Sequence, residues 1–337
     1  MVSLLETKEW GTVQNMELYE CIKETYPNIC QIVAGKDGKI FYNRTWNRYN
    51  FNDCVHIASA TKSIMALLIG IAIDKGLIES VDARVLDYFP DYGVKRGEKT
   101  IQQVTLYHLL TMTAPYKFKS EPWTRVCTSE DWTKAVLDLL GGRKGITGEF
   151  EYSTLGIQIL SAIITKVSGM ITVEFANKYL FEPLGITPRH NVLMKNKEEH
   201  LEFVTSKSSK GAGWLCDPQG IAAAGFGLCL SAEDMWKIGN LCLNNGMYEG
   251  KRVISSEWIK QMTSPRIICG NKFNYMKYGY LWWIIDEKEK IFSAIGDGGN
   301  VIYVNGDKKI VVAIASTFKP LVFDRVEFIQ KYIEPLS

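Results

Sequence analysis

The sequence predicts an α/β protein of the α+β type: a mixed, mainly antiparallel sheet built from both chain ends and flanked by helices, with a mainly helical region inserted between the two halves. Three observations carry this. A hairpin pattern occupies residues 29–43, helical periods run from Ser59 to about Gly169, and short β-rich runs return between Tyr278 and Ala315. The expected division is a sheet domain formed by residues 1–80 and 205–337, with 81–204 as the helical insertion.

In chain order, Ile29, Ile32 and Val33 form one arm of the hairpin and Lys39-Ile40-Phe41-Tyr42 the other, joined by the turn Gly35-Lys36-Asp37-Gly38. A helix follows from Ser59, because Ala60, Met65, Ala66, Leu67 and Leu68 are good helix formers and Gly76 supplies a stop. Further helix starts and stops are expected at Ser80-Val81-Asp82, Thr128-Ser129-Glu130 and Gly169. The Lys-, Glu- and Ser-rich segment Met194 to Lys210 reads as a mobile surface connection. Strands are expected at Tyr278 to Ile285, Lys290 to Ile295, Val301 to Val304 and Lys309 to Ala315, the last two separated by Asn305-Gly306-Asp307. Val326, Ile329, Tyr332 and Ile333 then recur at helical spacing, which predicts a closing helix against the sheet.

Composition narrows the partners. With 337 residues and 46% hydrophobic content the chain can bury a large core, and 39 basic against 37 acidic residues leave no electrostatic footprint for nucleic acid. The longest apolar run, Ile64 to Ile73, is about half of what a bilayer requires, and Met1 to Glu6 carries neither a basic nor an apolar leader segment, so no membrane partner is expected. Eight scattered cysteines without a Cys-x-x-Cys pair suit a reduced, cytoplasmic chain. Histidines and cysteines never cluster at ligand spacing, so neither a metal nor another cofactor is expected. The sequence assigns no oligomeric state.

Chemistry concentrates at Ser59-x-x-Lys62, where i and i+3 share one helix face and set an ammonium beside a hydroxyl. A second match, Ser316-x-x-Lys319, follows a strand-like run and meets Pro320, so it reads as a strand end. A serine nucleophile needs a base and donors for the oxyanion. His108 fits a structural role at a helix start, His190 and His200 lie in polar connecting sequence, and His56 has no aspartate placed to form a triad. Lys62 precedes a run apolar enough to bury it and lower its pKa, and Tyr152, on the loop Gly148 to Gly156 that feeds an apolar helix, is placed to project into a cleft.

With these residues in order, the chain resembles the serine β-lactamase-related, penicillin-binding-protein-like hydrolases, the group of class C β-lactamases, D,D-carboxypeptidases and family VIII esterases. The resemblance rests on Ser-x-x-Lys, then Tyr-Ser-x about ninety residues later, then a Gly-rich strand, and on the connecting segments Val104 to Thr113, Ala223 to Met235 and Asn245 to Ile254. It spans roughly Ile32 to Thr317 and implies a β-lactamase/transpeptidase-like fold. By this resemblance Ser59 is the acylated nucleophile, Lys62 its proton partner and Tyr152 the base or relay, with the order of Lys62 and Tyr152 left open. The third motif aligns with Gly296-Asp297-Gly298-Gly299-Asn300. Its glycines would bring a strand close to substrate, and the Asn300 N–H would complete the oxyanion hole with that of Ser59.

Two positions depart from the group. Thr154 stands where asparagine is usual, and Asp297 stands where lysine or histidine would face the carboxylate of a β-lactam. The expected activity is therefore a carboxylesterase-like serine hydrolase on small esters of neutral or cationic acyl compounds, with β-lactams and D-Ala peptides poor substrates. An amidase or D-aminopeptidase, in which Asp297 holds a substrate ammonium, is the alternative, and a non-catalytic binding relative the second. The competing reading of Asp297 is that it caps a turn or pairs with a neighbouring cation. Tyr116 to Trp123 and Trp214 are candidates for the pocket wall or for the core, and Ser231-x-x-Asp234 reads as a capping box without a function of its own.

Overall fold

A computed structural model describes residues 18–194, 197–209 and 211–337; the Met1 to Glu6 segment lies outside the described residues. Eight strands form one antiparallel sheet: β1 (Ile29–Lys36), β2 (Lys39–Thr45), β3 (Ile267–Ile268), β4 (Lys277–Tyr278), β5 (Trp283–Asp286), β6 (Ile291–Gly296), β7 (Asn300–Asn305) and β8 (Ile310–Ser316). Their order is β2-β1-β8-β7-β6-β5-β4-β3, so the N-terminal hairpin docks on the last strand of the chain. Both chain ends build the sheet, as the sequence predicts.

Residue alternation explains why the sheet is central. Along β8, Val311, Ala313 and Ala315 enter one hydrophobic cluster while Ile310, Val312 and Ile314 enter another on the opposite face. The chain must therefore cover both faces. One side receives helices α1 (Thr61–Asp74), α2 (Gln158–Ser168), α4 (Ala232–Leu243) and α5 (Ser256–Met262), and the other receives Leu18, Ile22, Phe328, Ile329 and Ile333. The closing helix is present as a turn of α-helix at Val326–Phe328 running into a wider turn at Ile329–Ile333.

Local chemistry sets the ends. The hairpin turns on Asp37 (φ 51°) and Gly38 (φ 75°), a pair suited to the left-handed backbone of a two-residue hairpin turn. Gly169 closes α2 in the left-handed conformation, and Asp131, one residue beyond the expected Thr128-Ser129-Glu130 start, caps Trp132–Leu137 by accepting from the Lys134 N–H at 2.8 Å. His108 accepts at Nδ1 from the Thr105 N–H (3.0 Å), capping a short helix.

Three expectations change. The single strand expected at Tyr278 to Ile285 is two strands, because Gly279 N–H bonds Trp282 O and folds the run into a hairpin. The Met194 to Lys210 connection contains helix α3 (Lys197–Thr205) among its described residues. Ser80-Val81-Asp82 begins turns and a short 3-10 segment at Val85–Tyr88 rather than a full helix. Trp214 is core, fully buried with Nε1 donating to Ala223 O at 2.9 Å.

Helix α1 carries the candidate site and runs through the middle of the core, with 12 of its 14 residues buried. At Gly70 it passes directly against Trp258, whose ring is held by an Nε1 hydrogen bond to Ala66 O (3.0 Å). A Cβ at Gly70 would overlap that ring. Gly70→Ala is expected to destabilise the fold by about 1–3 kcal/mol in thermal or denaturant unfolding; an unchanged midpoint would contradict this packing.

Candidate active site

Ser59 lies in the 3-10 turn Ala58–Ala60 that leads into α1, and Ala58 before it holds a left-handed backbone (φ 48°). A non-glycine residue there costs on the order of 1–3 kcal/mol and is kept only where the surroundings enforce it. Those surroundings are β6. Its lower half pairs with β5 through Ile291, Phe292 and Ser293, while the edge above is filled by the Ser59 turn. The contact glycine is Gly296, where a Cβ would lie 3.1 Å from Ser59 N, 2.9 Å from Ala60 N and overlap Ile57 O.

One helical turn on, Lys62 is 1% exposed, and its Nζ donates to Ser59 Oγ and to the carbonyl of Gly225, each at 2.8 Å. No carboxylate lies within ion-pair distance of it among the described residues. Burial lowers its pKa to about 7, while the more distant charges of Glu121 and Asp297 pull upward. Near neutral pH this lysine therefore spends much of its time as a free amine.

Tyr152 is half-buried, its ring 4.9 Å from Lys62 Nζ and stacked on Trp283, and its hydroxyl hydrogen-bonds Ser59. Burial pushes its pKa well above the ordinary tyrosine range, an effect reduced by the Ser59 hydrogen bond and reinforced by the charges of Asp297 and Glu121. Tyr152 is thus a neutral phenol. Its loop is fixed by Glu121, whose Oε1 accepts from Ser153 Oγ (2.7 Å) and Leu155 N–H (2.8 Å), and Thr154 packs against Gly225.

The third motif forms the end of β6, a tight turn and the start of β7. Gly298 and Gly299 make a turn (φ 85° and 79°) packed against Thr317 and Arg325, and Gly299 N–H donates to Gly296 O and Val322 O. Asn300 is fully buried in β7 opposite Gly296, with its side chain donating to Asp297 O (2.9 Å) and accepting from Ser316 N–H (2.8 Å). The glycine of this motif that lies directly against the Ser59 turn is Gly296. Asp297 directly follows it, exposed, and its charge reaches both Lys62 and Tyr152.

Beside this centre lies an apolar cleft of about 330 Å³ between α3 and the Trp123–Cys127 helix, lined by Trp123, Trp132, His200, Leu201, Val204 and Phe318. Phe226 joins cleft to centre: its ring stacks on His200 (5.3 Å, 5°) and meets Trp123 edge-on, and it directly follows Gly225. His56 instead accepts the Gly227 N–H at 2.9 Å and so holds this turn. Glu121 and Gly225 carried no marked role in the sequence. Gly225 acts through a carbonyl that every residue has, so only the Gly-rich stretch around it hinted at a close approach. Among the described residues no three His, Cys, Asp or Glu side chains gather as metal ligands, and no single helix is long and apolar enough to cross a membrane.

A family model described as Beta-lactamase matches residues 31–330. The chain is 22% identical over 324 residues to the 6-aminohexanoate-dimer hydrolase of Paenarthrobacter ureafaciens, an alignment covering 90% of this chain and 75% of that protein. Among solved structures, the octameric penicillin-binding protein homologue from Pyrococcus abyssi is similar with a TM-score of 0.67 at 24% identity, over 91% of this chain and 73% of that one. EstCE1, a hydrolase with promiscuous acyltransferase activity, is similar with a TM-score of 0.68 at 14% identity, over 92% and 94%.

Because Lys62 accepts a proton only as the free amine, kcat/KM for a neutral ester is expected to rise with pH along a limb centred near pH 7. A limb centred near the ordinary lysine value, or a flat profile, would contradict that role. Gly296→Ala is expected to lower kcat by about 100-fold or more by pushing β6 off the Ser59 turn; an unchanged kcat would contradict the contact.

Proposed function

The chain belongs to the Beta-lactamase family, whose serine-hydrolase-type chemistry acts on small acyl substrates, and from that premise we propose a hydrolase working through an acyl-enzyme at Ser59. The observation that carries this is the 2.8 Å hydrogen bond from a fully buried Lys62, with its pKa near 7, to the Ser59 hydroxyl. Neutral Lys62 takes the Ser59 proton as Oγ attacks the substrate carbonyl. The oxyanion is received by the N–H of Ser59 and by a main-chain N–H of the adjoining segment from Gly296 to Asn300, which lies against the Ser59 turn. Tyr152, held neutral, passes a proton to the leaving group, and water reverses the sequence to release the acid.

The substrate follows from charge. Asp297 is exposed next to the centre, and a like charge about 4 Å away costs about 1 kcal/mol in water and about 4 kcal/mol when partly desolvated. Esters of neutral or cationic acyl groups are therefore preferred over β-lactams, and the aromatic cleft behind Phe226 suits an apolar acyl body. The second reading, amide hydrolysis, is supported by the likeness to a 6-aminohexanoate-dimer hydrolase over most of the chain; there Asp297 would hold a substrate ammonium, as in the D-aminopeptidase alternative. A non-catalytic binding role is disfavoured by the intact bond between Lys62 and Ser59.

The test is a panel of p-nitrophenyl esters with neutral, ω-amino and ω-carboxy acyl groups, matched ω-aminoacyl amides, and nitrocefin. The neutral and cationic esters are expected to exceed the anionic ester and nitrocefin by at least about tenfold in kcat/KM, with Asp297→Asn narrowing the gap and Ser59→Ala abolishing all turnover. Preference for nitrocefin or the anionic ester would overturn the substrate assignment. Faster turnover of the amides than of the esters would select the second reading.

A further inference from the structure

Away from the Ser59 centre, a cleft of about 620 Å³ opens where the loop from Lys95 to Thr100 meets Lys117 and the turn from Gly141 to Lys144. Six cationic side chains line it: Lys95, Arg96, Lys99, Lys117, Arg143 and Lys144. For a chain whose 39 basic and 37 acidic residues nearly cancel, this is a sharp local departure.

The acids nearby answer only part of this charge, Asp138 feeling that of Lys95 without pairing with it. Glu98, the carboxylate lining the cleft, already accepts from the N–H groups of Thr100 (3.0 Å), Ile101 (3.2 Å) and Gly142 (3.3 Å) and pairs with Lys117 at 3.3 Å. Glu149 and Glu151 engage Lys144 at 3.1 and 3.8 Å. Among the described residues Lys95, Arg96, Lys99 and Arg143 make no ion pair, and all four are exposed. Like charges gathered around a concave site repel one another and raise the local concentration of anions.

We propose that this cleft binds a small ligand carrying two or more phosphate groups. A di- or triphosphate concentrates several negative charges within a few bonds, matching cations that converge from three chain segments, and two arginines supply the forked donors that phosphate oxygens accept. A single carboxylate would engage only one or two of these side chains. The cleft also shares a wall with the catalytic loop: Tyr116 lines it, and its hydroxyl hydrogen-bonds Ser153, between Tyr152 and Thr154.

Isothermal titration of the whole chain with tripolyphosphate, and with citrate as a carboxylate comparator, tests the proposal. One tripolyphosphate per chain is expected to bind, with affinity weakened at least about tenfold by Arg96→Glu with Arg143→Glu, and weakened again on raising NaCl from about 50 to about 200 mM. The neutral pair Arg96→Gln with Arg143→Gln should fall between, and both pairs should keep the unfolding midpoint because the side chains are exposed. Ser59→Ala should bind tripolyphosphate as the unaltered chain does, and citrate should bind at least about tenfold more weakly. No binding, binding indifferent to charge reversal, loss of binding in Ser59→Ala, or citrate binding as tightly would each overturn the assignment.

Discussion

The structure depends on a lysine buried without a carboxylate. Lys62 gives its hydrogen bonds to a serine hydroxyl and a main-chain carbonyl, neither of which holds a full negative charge. A carboxylate in the place of Gly225 O would keep the lysine protonated and bind it in a strong ion pair. Burial with only neutral acceptors does the reverse, and it brings the amine into the pH range where it can take a proton from Ser59. Burying an amine this way is costly, and the other buried residues of α1 provide packing that offsets it.

The same requirement fixes the neighbouring elements. Strand β6 must come close enough for its backbone to face Ser59, which only glycine at position 296 permits. The turn beyond it is anchored from behind by Asn28, which donates to Gly298 O (2.7 Å) and accepts from Arg325 (2.7 Å), so the N-terminal hairpin and the closing helix both bear on the geometry of the site. Building the sheet from both chain ends is thus part of how the serine is positioned.

The trio Ser59, Lys62 and Tyr152 was legible in the sequence because its information is local: i, i+3 spacing on a helix, an apolar run behind it, and a tyrosine on a helix-feeding loop. The central strands were legible for a similar reason, since β8 is apolar on both faces and can lie only inside a sheet. Within the third motif Gly296, Gly298 and Gly299 look alike in one dimension; the hairpin closing at Gly296 and Asn300 decides which one meets the Ser59 turn. Tyr278 to Ile285 read as one strand because a folded hairpin and a straight strand share the same aromatic, β-branched composition. Helix α3 was hidden by its own polarity, since Glu198, Glu199 and Glu202 mask the side that carries His200 and Val204 to the cleft.

The central claim is that Ser59 is a nucleophile activated by Lys62, and covalent labelling reads it most directly. The chain incubated with a fluorophosphonate near neutral pH should gain one adduct, mapped by peptide mass spectrometry to Ser59. That adduct should be missing in Ser59→Ala and form at least about 100-fold more slowly in Lys62→Met. No adduct on Ser59, or labelling of Ser59 at an undiminished rate without Lys62, would contradict it.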